Sequence, residues 1–282
     1  LKCIYDIIFL GDFMHDLKLV IQGFIIGIGK IIPGVSGAMF AVLFGVYEKA
    51  LNIISNLKTE LKGNLKFMLL LGTSILLAII FGSNIIKKCL ENYYMYTMFL
   101  FIGMMSAGIL PLFKNVRGKK ANGKSICLAL IISCLLILLD LADFSVAVDN
   151  TSRNFLSIVM LFLSGFLDAV ATVVPGICGT ALLIIFGYYN TVISALSDVF
   201  NVAHLADNLF ILIPFLIGML LGIVLVSKLI NYLLKKYKTE TYYVIIAFAI
   251  MSTILLFIKA LRNSFTIFNL SISVLLFLVG YL

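Results

Sequence analysis

Two proline–glycine segments are the places where residue types and spacing favour chemistry. The first reads Pro33-Gly34-Val35-Ser36-Gly37, and the second reads Pro175-Gly176-Ile177-Cys178-Gly179 and is followed by Thr180. Proline and glycine end helices, and a helix that begins after such a turn has backbone N–H groups without partners. Such N–H groups and the positive helix end bind anions, most often phosphate. We therefore expect an anion site at the two turns, with the Ser36 and Thr180 hydroxyls either as further donors or only as helix caps.

Charged residues within apolar stretches are the next candidates. Lys30 lies three residues before Pro33, and Asp168 lies seven residues before Pro175. An ionisable residue inside the membrane marks a functional site by default. We expect Lys30 to bind the anion, and Asp168 to pair with Lys30 or to carry a coupling proton. The alternatives are that Lys30 reaches the membrane surface or pairs with Glu48, and that Asp168 faces the outer surface.

Three residues near the ends of these segments are candidates for coupling or gating. Tyr47 and Tyr189 follow the two turns at equivalent distances, and Glu48 comes directly after Tyr47. Tyrosines and charged residues are also common at membrane interfaces, so both roles stay open for them.

No metal, cofactor or nucleic acid is expected. The cysteines lack CxxC spacing, and the two histidines have no partner at ligand spacing. The sequence has no GxxxxGK[ST] segment for ATP and no stripe of basic and aromatic residues that would bind nucleic acid. The residues in question are Cys3, Cys89, Cys127, Cys134, Cys178, His15 and His204.

The composition requires a lipid environment for the elements that carry these residues. Of 282 residues, 62% are hydrophobic and 12% charged, whereas soluble domains carry about a quarter charged residues. A membrane-spanning helix needs about 20 apolar residues. We predict six ordinary spans, at residues 67–86, 92–113, 125–148, 208–227, 241–258 and 263–282.

Two further apolar regions, residues 17–54 and 154–196, are interrupted by the proline–glycine segments. The uncharged arms of the first, Leu19–Gly29 and Ala38–Tyr47, are each too short to cross a bilayer. We expect re-entrant helical hairpins, with two full crossings as the alternative. Either form enters and leaves the membrane on the same side.

A shift of 142 residues aligns the two hairpins. It places Gly23-Phe24 on Gly165-Phe166, Pro33-Gly34 on Pro175-Gly176, Phe44-Gly45 on Phe186-Gly187 and Tyr47 on Tyr189. Chance would rarely align all of these pairs together, so the pattern indicates an internal duplication. We predict an all-α polytopic membrane protein of two repeats, residues 1–148 and 149–282, each a hairpin followed by three transmembrane helices.

The number of spans between the hairpins predicts that the repeats are inverted in the membrane. Three spans separate them, and an odd number of crossings reverses the second unit. With a cytoplasmic N-terminus, the inner connectors hold 12 Lys and Arg residues and the outer ones hold 5. This distribution follows the positive-inside rule and places both termini in the cytoplasm. Inverted repeats with broken helices are typical of secondary transporters.

The turn motifs resemble those of the PopT family of bacterial membrane proteins. The resemblance rests on Pro33–Gly37 followed by Gly45-Val46-Tyr47-Glu48-Lys49, and on the stretch from Pro175 to Gly187-Tyr188-Tyr189. Ala38 stands where the family's PGVSGG motif has its last glycine, and Cys178 stands where PGISG has serine. The family pattern is often acidic at the position of Lys30.

The resemblance implies a transporter, not an enzyme, in the bacterial cytoplasmic membrane. It implies that the protein flips undecaprenyl phosphate, the C55 lipid carrier of cell-wall synthesis, by alternating access, with the headgroup at the two turns. Its partners would be this lipid and membrane lipid, and the oligomeric state stays open, a homo-oligomer included. Two other functions stay open: a small inorganic anion transporter or channel, and an undecaprenyl-diphosphate phosphatase, whose clustered glutamates and arginine have no match around Ser36.

Overall fold

The computed structural model of the chain describes residues 2–32, 34–118, 154–197, 204–261 and 267–282, together with positions 123, 127, 130, 131 and 134. All regular elements in the described residues are helices. They are α1 (Lys2–Ile31), α2 (Gly37–Leu43), α3 (Tyr47–Ser55), α4 (Leu57–Glu60), a 3-10 turn (Lys62–Asn64), α5 (Leu65–Asn92), α6 (Tyr94–Val116), α7 (Phe155–Val173), α8 (Gly179–Ile185), α9 (Tyr189–Ser197), α10 (Leu205–Lys236), α11 (Lys238–Leu261) and α12 (Ile267–Tyr281).

The described helices are those of a multi-pass membrane protein. Five of them, α5, α6, α7, α10 and α11, are long and apolar enough to cross a bilayer, and the bent pair α2–α3 would make a sixth. The predicted spans at 67–86, 92–113, 208–227 and 241–258 fall on α5, α6, α10 and α11. The span predicted at 263–282 falls on the shorter α12, and the one at 125–148 lies mainly outside the described residues.

The two hairpins have the same backbone plan. The end of α1 and both ends of α2 and α3 recur in α7, α8 and α9 after the shift of 142 residues, whereas α1 begins at Lys2 and α7 at Phe155. Gly34 and Gly176 have φ angles of 87° and 90°, in the left-handed region that favours glycine, so both turns need glycine at this position. The repeat seen in the sequence is therefore matched by a repeat of local structure. In the first hairpin, α2 and α3 meet at an angle of 114°.

Each hairpin packs closely on the long helix that follows it in the chain. α1 packs on α5, and α7 packs on α10. A Cβ atom at Gly23 would lie 2.9 Å from the Leu71 carbonyl oxygen, and one at Gly165 would overlap the carbonyl of Phe215. Small residues at these equivalent positions let the helix backbones approach, as is usual in membrane bundles. Helices α6 and α11 pack together and join the two halves.

Candidate substrate site

The two proline–glycine turns contact each other reciprocally at the centre of the molecule. The Gly34 N–H donates to Cys178 Sγ at 3.0 Å, and the Gly176 N–H donates to Ser36 Oγ at 3.2 Å. The shift of 142 residues converts one contact into the other, as at an interface related by a two-fold axis. Ser36 and Gly176 are buried. The hairpins therefore meet turn to turn.

This contact corrects one expectation from the sequence. The N–H groups of Gly34 and Gly176 are not free for an anion, because the opposite turn supplies an acceptor for each. The helices that follow the turns, α2 and α8, have only seven residues, so few aligned peptide dipoles add up at their ends. Cys178 Sγ lies 2.9 Å from Thr180 Oγ1, within the same turn. The N–H groups of Gly34 and Gly176 are thus used for the contact between the two turns.

The positive charge at the centre comes from Lys30. Its Nζ donates to Asp168 Oδ2 at 2.9 Å and Oδ1 at 3.1 Å, and to Thr172 Oγ1 at 2.6 Å. The predicted pairing of Lys30 with Asp168 is confirmed, and the alternative pairing with Glu48 is wrong. The Asp168 side chain is 6% exposed, so its carboxylate is buried beside Lys30. Thr172, which is the repeat equivalent of Lys30, was not foreseen from the sequence.

A cavity of about 220 Å³ lies beside this ion pair. Its lining is mostly apolar and contains a few polar side chains. The polar side chains are Lys30, Ser36, Tyr47, Thr172 and Ser227, and the apolar ones include Ala50, Leu51, Ile54, Met68, Leu71 and Ile75. Of the predicted site residues, Lys30, Val35, Ser36, Gly37, Tyr47, Ile177 and Gly179 line the cavity.

Several side chains attach α3 to helices of the second half. The Tyr47 hydroxyl donates to the Val173 carbonyl oxygen at 3.0 Å. Glu48 lies away from the cavity lining and accepts a hydrogen bond from the Tyr242 hydroxyl of α11. Asn231 of α10 donates to Ser55 Oγ, near the end of α3. The first hairpin thereby packs across the molecule on α10.

The second hairpin makes different contacts. Its α9 packs on α10, a helix of its own half, and Tyr188 lies in a small cluster with Leu161, Val192 and Phe215. The bond equivalent to that of Tyr47 would join Tyr189 to the carbonyl of Ile31, and it is absent among the described residues. Pro175 is buried at the turn, whereas Pro33 lies outside the described residues.

Comparison with known proteins places the chain in a family. Residues 26–269 match the VCA0040-like family model, described as undecaprenyl phosphate translocase-like. The chain belongs to this family. A polyprenyl-phosphate transporter of Staphylococcus aureus is 27% identical over 268 residues, 93% of either chain. One of Vibrio cholerae is 24% identical over 247 residues, 82% of this chain and 74% of the relative. No solved structure shows significant similarity to this chain.

Family membership confirms the resemblance seen in the turn motifs. The matched residues include both hairpins from Ile26 onward, and hence the ion pair, the turns and the cavity wall. Both relatives are named transporters, not enzymes.

Proposed function

We propose that the protein flips undecaprenyl phosphate across the cytoplasmic membrane of a bacterium. The observation that carries this proposal is the mixed lining of the cavity, which combines the polar side chains of Lys30 and Ser36 with many apolar ones, those of α3 and α5 included. A lipid with a phosphate headgroup matches both kinds of side chain, whereas a small inorganic anion would gain nothing from contact with the apolar ones. The names of the two relatives support the same substrate class.

The headgroup binds at Lys30 in this proposal. An ammonium group has three donors, and Lys30 directs them toward Asp168 and Thr172. A phosphate oxygen would compete with Asp168 for the Lys30 ammonium group. The Gly34 and Gly176 N–H groups join the two turns, whereas a Cβ at Gly37 or Gly179 would meet the first helix of its own hairpin. Ser36 accepts a bond from the opposite turn and has no glutamate beside it, which supports transport without covalent chemistry.

Alternating access follows from two halves, residues 1–148 and 149–282, inserted in opposite orientations. The cavity is lined by α3 and α5 together with other helices, whereas their equivalents, α9 and α10, pack on each other. If the two hairpins exchanged these arrangements, the cavity beside α3 would close and an equivalent cavity beside α9 would open. Tyr47 and Glu48 hold α3 in the present arrangement, and Tyr189 would take the role of Tyr47 in the other.

The charge distribution supports cytoplasmic termini, with the first hairpin entering from the cytoplasm and the second from outside. A cysteine placed at Gly118, in an inner connector, should react with a membrane-impermeant thiol reagent only from the cytoplasmic side. Reaction from the outside would contradict the orientation.

Transport is tested with purified protein in liposomes that contain a fluorescent polyprenyl phosphate. We expect the protein to exchange this lipid between leaflets and to leave a neutral polyprenol where it is. Loss of a charge-assisted hydrogen bond costs about 1.5–3 kcal/mol. Lys30→Ala should therefore weaken headgroup binding by about one to two decades, at about 1.4 kcal/mol per decade.

Two outcomes would contradict the proposal. Equal movement of polyprenol and polyprenyl phosphate would exclude phosphate recognition. Conduction of chloride or inorganic phosphate without lipid movement would establish the small-anion function instead.

A further inference from the structure

Ser227 stands out among the buried hydroxyls of the described helices. It lies on α10 at the cavity wall and is fully buried, and its Oγ has no hydrogen-bond partner in the part of the chain that the structure describes. Serines in membrane helices usually bond to a carbonyl one turn back. Ser74 bonds in this way to Leu70 and Ser106 to Ile102. Ser227 does not, although its helix offers the same carbonyls.

A buried hydroxyl without a partner costs free energy, and its presence calls for a specific explanation. The position of Ser227 offers one. Ile223, one turn earlier on α10, also lines the cavity, so this face of the helix is directed toward it. The same cavity wall contains Lys30 and Ser36 from the first hairpin.

We propose that the Ser227 hydroxyl donates a hydrogen bond to a phosphate oxygen of the bound lipid. This inference rests on the proposed function and adds a phosphate-binding residue that the sequence did not reveal. The headgroup is then held by both halves, with Lys30 from the first and Ser227 from the second. Asn231, on the same helix α10, donates a hydrogen bond to Ser55 of α3. A phosphate bound to Ser227 would therefore contact the helix on which α3 packs.

The test measures ligand binding to the full chain in nanodiscs, with farnesyl phosphate, farnesol and inorganic phosphate as probes. Ser227→Ala should lower the affinity for farnesyl phosphate about tenfold, which corresponds to about 1.4 kcal/mol. The affinity for farnesol should not change, because farnesol has no phosphate. The melting temperature should stay the same or rise, because the substitution removes a hydroxyl without a partner.

Ser74→Ala is the matched control. Ser74 is also a buried helical serine, but its hydroxyl bonds to its own helix and it lies outside the cavity lining. This variant should bind farnesyl phosphate as the unmodified protein does.

Each remaining outcome decides between the two proposals. If Ser227→Ala binds farnesyl phosphate normally while Lys30→Ala does not, the role of Ser227 is wrong and the proposed function stands. If Ser227→Ala weakens farnesol equally or lowers the melting temperature, Ser227 has a structural role and the inference is wrong. If inorganic phosphate binds as tightly as farnesyl phosphate and both depend on Ser227, the phosphate contact stands and the lipid substrate fails.

Discussion

In the first hairpin α3 packs across the molecule on α10, whereas its counterpart α9 in the second hairpin packs on the same α10 from within its own half. The backbones of the hairpins are alike, down to the positive φ angles of Gly34 and Gly176. The difference therefore comes from the neighbours of the hairpins and not from their own turns. A duplicated hairpin can therefore keep its local shape while its last helix packs either on the long helix that follows it in the chain, as α9 does, or on a more distant one, as α3 does.

The side chains at equivalent positions differ for a physical reason. Lys30 contacts Thr172, which is its equivalent after the shift of 142 residues. Two lysines at this point would repel each other at hydrogen-bond distance. One lysine in the first half and Asp168 in the second, where the first has Ile26, instead form a single neutralised pair.

The largest effect is expected from locking α3 in place. A disulfide between Ser55→Cys and Asn231→Cys would fix α3 on α10, since these two side chains are already in contact. We expect oxidation to abolish lipid exchange in liposomes and reduction to restore it. Each single variant, oxidised in the same way, is the control. Full transport by the cross-linked protein would contradict any exchange of partners by α3.

Removal of one member of the central ion pair should have the next largest effect. Asp168→Asn leaves Lys30 without its counter-charge, and breaking a buried pair costs about 3–5 kcal/mol. Because Lys30 is 27% exposed, we expect a loss of unfolding free energy near the lower bound. Asp16→Asn, which breaks the surface pair with Lys66, should cost less than about 1 kcal/mol. Equal losses in chemical denaturation would show that the central pair is not effectively buried.

The equivalent turn glycines should differ in their tolerance of alanine. Both have positive φ, which costs an alanine about 1–2 kcal/mol. A Cβ at Gly176 would also lie 2.5 Å from the backbone nitrogen of Ala249, whereas one at Gly34 meets the side chain of Leu256, which can move. Gly176→Ala should therefore lower the melting temperature more than Gly34→Ala. Gly63→Ala, at a site with open space, is the control.

The smallest effect should distinguish the two tyrosines. Tyr47→Phe removes the bond to the Val173 carbonyl oxygen, worth about 1 kcal/mol. It should destabilise the present arrangement, while Tyr189→Phe should leave its stability unchanged and slow lipid exchange. Unfolding and exchange measured on both variants compare the two arms directly. A loss of stability in Tyr189→Phe equal to that in Tyr47→Phe would contradict the asymmetry.

The sequence predicted the helical class, four spans that coincide with described helices, and two apolar regions broken at the proline–glycine turns. These features follow from local causes, namely the length of apolar runs and the backbone preferences of proline and glycine. It also predicted that Lys30 and Asp168 pair, because isolated charges in apolar stretches need partners. It did not predict that the N–H groups of the turns bond to each other, nor that Thr172 and Ser227 lie at the cavity.

The missing features share one cause, which is that they join residues distant in the chain. The contact between Ser36 and Gly176 spans 140 residues, and that between Ser55 and Asn231 spans 176. By itself the sequence determined the membrane environment, the duplication and the position of the breaks, since each depends on neighbouring residues. Only the tertiary structure decided which groups at the breaks are already paired and which hydroxyl is left without a partner. It also decided that α3 packs on α10, because hydrogen bonds and packing between distant parts of the chain depend on three-dimensional proximity.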